Sequence, residues 1–587
     1  MTEKEFNMRK KRLGVVLAMC LLVSLSLGAA GTAEPAAAPP QGPQLAATFA
    51  GGWPYSIPPT GHFNMFVANA IELKFWREMH QLPLALYINA TGEYTPMLAT
   101  DWNIDAASTA MTVNLRSDAK WLTGEKVTAK DVWTTFYVYR LVGNPAWTYI
   151  SDVTVVSDTQ VKFGIKSATP LFVRNVLRKP IVDTLTYGSY AEKTAELVKK
   201  GLDATSQEWK NLVADFNSFR PATVNSSGPY YIDPAKVSQA SIEMPINPNS
   251  FLADKVQFKT LTIYNGDVPD LTPLVLSGKI DYLTHVFPAS SMQAFERAGY
   301  TFVQLPGVDG LAIYFNHALA PLGDVRVRQA IAHVVDRNRI GQLALPGVSV
   351  GVKYATGLGD GVTESWVDVS KLNTYPVDLA KAEALLKEAG LTKRNNQWYL
   401  ANGRPFELAL QCPSGWADAS TAATEAAQQL TAFGIKTTFN GIESTQRTPN
   451  INSGKFELAM SFFGTGQPHP MYAYEGPLLA SNTGAAGVGI SFPMVQKTSM
   501  GEVNFNTLIQ DSVKGWDVEQ QKKIISNLAI AFSETLPVLP IYSKQARNLT
   551  SNGSRTVWEG PEYLYRNSAG DDNFVVYQLL HGMIKAK

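Results

Sequence analysis

Over residues 111–115, MTVNL, apolar and polar positions alternate with the two-residue period of a half-buried strand. VTVVSDTQVKFGI (153–165) repeats that period on either side of Ser157-Asp158, which predicts a hairpin. The period then lengthens, and AEKTAELVKKGL and SQEWKNLVADFNSF predict two surface helices between about 191 and 219. FKTLTIYN (258–265) predicts a strand. LTPLVLSGKIDYLTHV (271–286) predicts a short helix, a Ser-Gly-Lys turn and another strand, and LAIYFN (311–316) predicts a buried strand. DVRVRQAIAHVVDRNRI (324–340) predicts one amphipathic helix, with Val325, Ala330, Ile331, Val334 and Val335 inward and the arginines outward. DLAKAEALLKEAG (378–390) predicts a helix closed by Gly390. PFELALQC predicts a strand, and TAATEAAQQLTAFGIKTTF a helix, a stop at Gly434 and a strand. KFELAMSFFG (455–464) predicts a further strand, and residues 518–542 a long helix stopped near Pro537 that leads into a short strand. Strands and helices mix throughout with no repeat period, so the fold class is α/β.

The stretch WLTGEKVTAKDVWTTF (121–136) reads as a turn at Thr123-Gly124 and then a helix start. Thr128 caps that helix and Asp131, three residues on, answers it. At 587 residues the chain is expected to hold two to four domains, and 45% hydrophobic residues suffice for large cores. Net charge is +1, but residues 1–33 hold five Lys/Arg against Glu3 and Glu5, which leaves −2 for the remainder. No basic face is left for nucleic acid, so no nucleic-acid partner is expected. The first residues pair a basic MRKKR with an apolar LGVVLAMCLLVSLSLGAA and a small-residue GAAGTAEPAAAPP, the pattern of a signal peptide over 1–33. The protein is therefore expected outside the cytoplasmic membrane, periplasmic or at the cell surface. The alternatives are an uncleaved anchor and lipid attachment at Cys20, although Met19 stands where a lipid site prefers a small residue. Residues 34–46 form a Pro/Ala linker. Once 1–33 are removed, Cys412 is the single cysteine, and no intramolecular disulfide is possible.

Several ordered segments carry a resemblance. They are TPMLATDW (95–102), VNLRSDAKW (113–121), LTGEKVTAKDVWTTF (122–136), SSGPYYI (226–232) and SGKID (277–281). They continue with the FN…DVRVRQAI…DRNRI run over 315–340, then residues 382–390, 429–435 and LPVLPIY (536–542). In this order they resemble the family 5 extracellular solute-binding proteins of ABC transporters, which include oligopeptide, dipeptide, nickel and oligosaccharide binders. The resemblance implies a two-lobed, type II periplasmic-binding clamp with an additional inserted domain. Lobe I would take 47–82, 225–305 and 540–587, the extra domain 83–224, and lobe II 306–539. It implies a monomer that hands its ligand to ABC permease subunits, with no cofactor, no metal and no catalysis. Trp121 is then expected in the core of the extra domain rather than on a ligand.

Three aromatic loops are candidate cleft walls. AGGWPYSIPPTGHFN (50–64) offers Trp53 and Tyr55 after a first strand. QCPSGWADAS (411–420) offers Trp416 at a strand end, where α/β sheets bind ligands. SFFGTGQPHPMYAYEG (461–476) offers Phe463, His469 and Tyr472. Peptide binders of the resembled family often place an Asp in this last loop for the peptide amine, and GTGQPHP has no carboxylate before Glu475. With 12 Trp, 23 Tyr and 26 Phe available to stack on sugar faces, an oligosaccharide is the expected ligand and an oligopeptide the alternative. The different-class alternative is a secreted hydrolase of such substrates. GVSVG around Ser349 has the nucleophile-elbow spacing, but a loop rather than a helix follows it. Ser117-x-x-Lys120 lacks a K-T-G partner, there is no H-E-x-x-H, and His317 and His333 read as structural. A sensor that closes on the same ligand is a third reading.

Overall fold

The computed structural model describes residues 46–305, 307–482, 488–545, 547–567 and 572–587, so the expected export segment, Cys20 and nearly all of the linker lie outside the described residues. Two six-stranded sheets and a four-stranded one organise the rest. The first runs in the order Thr301–Gln304, Arg547–Thr550, Tyr282–Leu283, Ala46–Gly52, Phe258–Tyr264, Ser241–Pro245. Its central pair is parallel, with Gly51 opposite Ile263. Parallel strands covered on both faces need apolar side chains, and this sheet packs on Trp76 and Phe75, whose rings meet its own Tyr282. Gly51 is required there, because a Cβ at that position would lie 2.3 Å from Trp76 Cζ2.

The second sheet runs Ser349–Gly351, Val538–Lys544, Asp309–Phe315, Leu458–Gly464, Glu407–Pro413, Lys436–Ile442. The chain passes from the first sheet to the second between 304 and 309 and returns between 544 and 547. The strand Val538–Lys544 thus belongs wholly to the second sheet, and the first sheet resumes at Arg547 rather than at 540. The third sheet is antiparallel, in the order Ala99–Ile104, Ala110–Leu115, Gln160–Ile165, Ile150–Ser157, and it shares one apolar core with the first. None of the helices among the described residues is long and apolar enough to cross a membrane.

The 324–340 run departs from its expected single helix. It forms Val325–Val334 and Arg337–Ala344, separated by extended Val335, and Asp336 caps the second helix by accepting from the Arg339 amide. Its arginines are not all outward. Arg328 is buried and donates to the carbonyls of Leu322, Gly323, Thr535 and Leu536. Two of those carbonyls end the helix Val518–Thr535, whose last turn has no intrahelical donors to offer them. Arg337 is buried too and donates to Tyr375 O. Ser349 is buried at the start of a short edge strand, and its hydroxyl donates to Ser543 O. His317 and His333 bond to the carbonyls of Pro537 and Pro376.

The helix start at Thr128 forms its capping box, and helix Ala129–Leu141 packs on Thr184–Lys199. Asp131 does more than cap. One carboxylate oxygen accepts from Thr128 N (2.8 Å) and from Trp121 Nε1 (3.2 Å), and the other accepts from Thr184 N (2.7 Å). Trp121 is buried, so the indole and two helix starts meet on one carboxylate. Asp131→Ala is expected to cost about 3 kcal/mol, since three donors lose a buried charged acceptor. Urea unfolding would show it, and a loss below about 1 kcal/mol would contradict this role.

Candidate functional site

A cavity of about 600 Å³ is walled by three stretches of chain. The first is the loop and 3-10 turn Lys74–Met79 beside the first sheet, contributing Glu72, Lys74 and Arg77. The second comes from the unit built on the four-stranded sheet, with Tyr139, Tyr149 and the basic helix end at Arg174, Arg178 and Lys179. The third follows the second sheet's strand Leu458–Gly464 and brings Thr465, Gln467, Tyr472 and Glu475. A second cavity, of about 480 Å³, shares Glu72 and Lys74 with the first and holds Trp53 and Tyr55.

The wall is organised by buried charge. Asp572 accepts from Arg174 Nη2 at 2.8 Å and from Arg178 Nε at 2.7 Å, and Arg178 also pairs with Glu78. Burial pushes the Asp572 carboxyl up, but Arg178 and Arg174 outweigh it and hold the group below the usual carboxylate range. Arg174 Nε donates to Gln467 Oε1 at 3.0 Å, which bridges the helix Pro170–Leu177 to the loop after the second sheet's strand. Leu171 of the same helix packs into the apolar core on that sheet's face. Two buried guanidinium nitrogens of the wall, Arg174 Nη1 and Arg77 Nη2, have no hydrogen-bond partner among the described residues.

The six candidate residues separate. Tyr472 is on the 600 Å³ cavity. Trp53 and Tyr55 are on the adjoining one, where Trp53 packs edge-on against Phe75 and the Tyr55 hydroxyl donates to Ser238 O. Trp416 borders neither cavity. It packs on Phe462 at 5.3 Å, with the Arg447 guanidinium over both rings. Phe463 is a correction, being 1% exposed in the core. Side chains alternate faces along a strand, so its neighbour Phe462, 45% exposed, is the one turned outward. His469 is the other correction. It is buried edge-on against Trp366 and accepts from Met471 N, so it braces its own loop.

The basic wall was missed. Two arginines four apart in the mostly apolar PLFVRNVLRKP, which also holds Asn175 and Lys179, place their charges on one helix face, which was the available signal. Their partner Asp572 lies almost 400 positions away, and no local pattern names it.

Comparison with known proteins adds relatives. The family "Bacterial extracellular solute-binding proteins, family 5 Middle" matches residues 93–485. A periplasmic alpha-galactoside-binding protein of Rhizobium meliloti is 23% identical over 66% of this chain and 60% of its own length. A dipeptide-binding protein of Escherichia coli is 22% identical over 54% of this chain and 59% of its own length. The chain thus spans about three-fifths of the length of these two curated relatives. Among solved structures, a periplasmic oligopeptide-binding protein of Thermotoga maritima with mannohexaose bound superposes with a TM-score of 0.69. That match covers 92% of this chain and 98% of the other at 17% identity, a likeness of fold, and it is the two-lobed type II α/β clamp.

Two outcomes follow for the site's framework. Asp572→Asn leaves buried guanidinium groups uncompensated and is expected to cost about 3–5 kcal/mol in chemical denaturation, or to prevent folding. Burial holds His469 neutral and its pKa down to about 4, while an unfolded imidazole titrates near 6.5. The unfolded chain therefore takes up a proton first as pH falls, and stability is lost between about 6.5 and 4, by up to roughly 3 kcal/mol for this group. His469→Gln should flatten part of that fall in a melting curve series, and an unchanged profile would contradict it.

Proposed function

The chain belongs to the bacterial extracellular solute-binding proteins, family 5, and from that premise we propose that it captures a polar solute between its two six-stranded sheets and delivers it to an ABC importer's permease. It works as a monomer outside the cytoplasmic membrane and carries out no reaction on the solute. Lobe I is the part built on the first sheet, lobe II the part built on the second, and the four-stranded unit is the extra domain.

One observation carries this reading: the 600 Å³ cavity takes its wall from all three units. A site of that construction is completed only when the units approach, so a solute that contacts all of them stabilises the closed arrangement. The Arg174–Gln467 hydrogen bond crosses from the four-stranded unit to the part built on the second sheet, where closure would act. The volume lies in the range of small-ligand pockets, and the neighbouring 480 Å³ gives an elongated solute room to extend towards Trp53 and Tyr55. The solute is an oligosaccharide or an oligopeptide, the two classes named for relatives of this chain.

A thermal-shift screen against cello-, xylo- and manno-oligosaccharides, di- to pentapeptides and nickel tests this. A specific solute at 100 times its Kd should add about 2.7 kcal/mol and raise Tm by a few degrees. Tyr472→Ala should weaken that solute at least tenfold by calorimetry, and small-angle scattering should show contraction on binding. Turnover of the bound solute, or a panel with no shift at all, would sink the proposal.

A further inference from the structure

Away from the cavities, lobe II reaches the extra domain at a second place. The loop between the helices Phe505–Asp511 and Val518–Thr535 belongs to lobe II, yet its Trp516 ring packs against the apolar core shared by the first and third sheets. The indole Nε1 donates to Ser108 Oγ at 3.1 Å, and the preceding amide, Gly515 N, donates to Ala168 O at 2.7 Å. None of these four residues lines either large cavity. Both sides are held ready for the contact. Ser108 turns the chain between Ala99–Ile104 and Ala110–Leu115 at a φ of 54°, a left-handed backbone that serine rarely adopts. Asp105 fixes that turn by accepting from Thr109 N and Thr109 Oγ1, both at 2.7 Å. On the other side, buried Gln521 donates to Gly515 O at 2.9 Å, and Asp517 caps the helix that follows. Ala168 stands just before the helix Pro170–Leu177, whose Leu171 enters the apolar core on the second sheet's face and whose Arg174 meets Gln467.

A contact of this kind acts on the solute without touching it. Movement of lobe II away from the extra domain separates Trp516 from Ser108 and Gly515 from Ala168. All four residues are half-buried, so water takes over both bonds when the parts separate, and the contact releases at modest cost. The tryptophan ring supplies apolar contact and its single N–H supplies direction. Every interaction present only in the closed arrangement raises the closed population, and a solute that needs that arrangement binds with its intrinsic Kd divided by the closed fraction. That division is the same for any solute, because the four residues lie off the cavity walls. We propose that Trp516 and Gly515 form a latch on Ser108 and Ala168 that scales the strength of capture for all solutes by a common factor, while the cavity wall selects the solute. Trp516 is then a positioning residue, acting through the placement of lobe II. This inference rests on closure of the lobes being the capture step.

Hydrogen exchange of the purified protein, followed by mass spectrometry with no solute added, tests the latch separately from solute capture. Opening bares the Gly515 amide, and its exchange rate rises with the open population. Ser108→Ala alters a residue 408 positions from Trp516, so it leaves the chemistry around Gly515 untouched. It should still speed Gly515 exchange roughly threefold, the worth of one hydrogen bond. Trp516→Ala also loses the ring contact and should speed it roughly tenfold or more. Amides inside the strands Ala110–Leu115 and Asp309–Phe315 should keep their wild-type rates, which a merely destabilised fold would not allow. Calorimetry with cellotriose, mannohexaose and triglycine reads the consequence for capture. Each of them that binds the wild type should lose affinity by the same factor in a given variant, with the order of affinities kept. A Gly515 amide that already exchanges as an open one in the wild type, or that Ser108→Ala leaves unchanged, would overturn the inference. So would core strands that speed up together with Gly515, or a loss that differs from one solute to the next. Exchange decides the latch even where none of the three solutes binds, an outcome that counts against the proposed capture instead.

Discussion

Asp572, buried near the C-terminus, holds two guanidinium groups, and one of them also holds Glu78. Four charges out of water survive only because each is answered within hydrogen-bond reach. The answer fixes geometry more than it adds stability, since a buried ion knot roughly breaks even against an apolar replacement. Here it ties the C-terminal segment, the 3-10 turn beside the first sheet and the helix Pro170–Leu177 to a single point. That point is also where the cavity wall begins, so the position of Arg174 towards Gln467 is inherited from the knot.

The cavity is consequently a seam rather than a pocket carved in one unit. Tyr472 and Glu475 stand on one piece of the fold, Tyr139, Tyr149, Arg174, Arg178 and Lys179 on another, and Glu72, Lys74, Arg77 and Glu78 on a third. The four-stranded unit meets the second-sheet part through Arg174–Gln467 and Leu171 here, and further away through Trp516 Nε1 to Ser108 Oγ and Gly515 N to Ala168 O. The aromatic residues that the sequence makes most conspicuous are largely occupied elsewhere. Trp76, Tyr230 and Phe136 fill the core, and Trp416 pairs with Phe462 away from the cavity.

Periodicity located the longer strands and helices, because a strand's alternation and a helix's stripe are local and survive tertiary packing, but it passed over short elements such as Pro170–Leu177, Ala289–Arg297 and Arg547–Thr550. It missed the break at Val335, since an apolar stripe continues across it and only the Asp336 cap marks a new start. It placed Arg328 in water because the carbonyls that hold it belong to a helix end some two hundred residues on. The parity of Phe462 and Phe463 depends on strand register, and register is set by the neighbouring strands, not by the segment itself. Loop aromatics suggested a site at strand ends, and Tyr472 is on the wall, but the charges of that wall come together from regions that only the folded topology makes adjacent.

The strand Thr301–Gln304 has one neighbour in its sheet, Arg547–Thr550. Between them the chain makes the whole second sheet. A ribosome therefore finishes the second sheet's strands before it has supplied the strand that joins 301–304 to the body of the first. Until about the last forty residues emerge, Thr301–Gln304 waits with bare hydrogen-bonding edges and the knot around Asp572 has no centre. The order of synthesis thus leaves the earliest-begun sheet unfinished until after the second is made, so folding of the first sheet waits on the return of the chain at Arg547–Thr550.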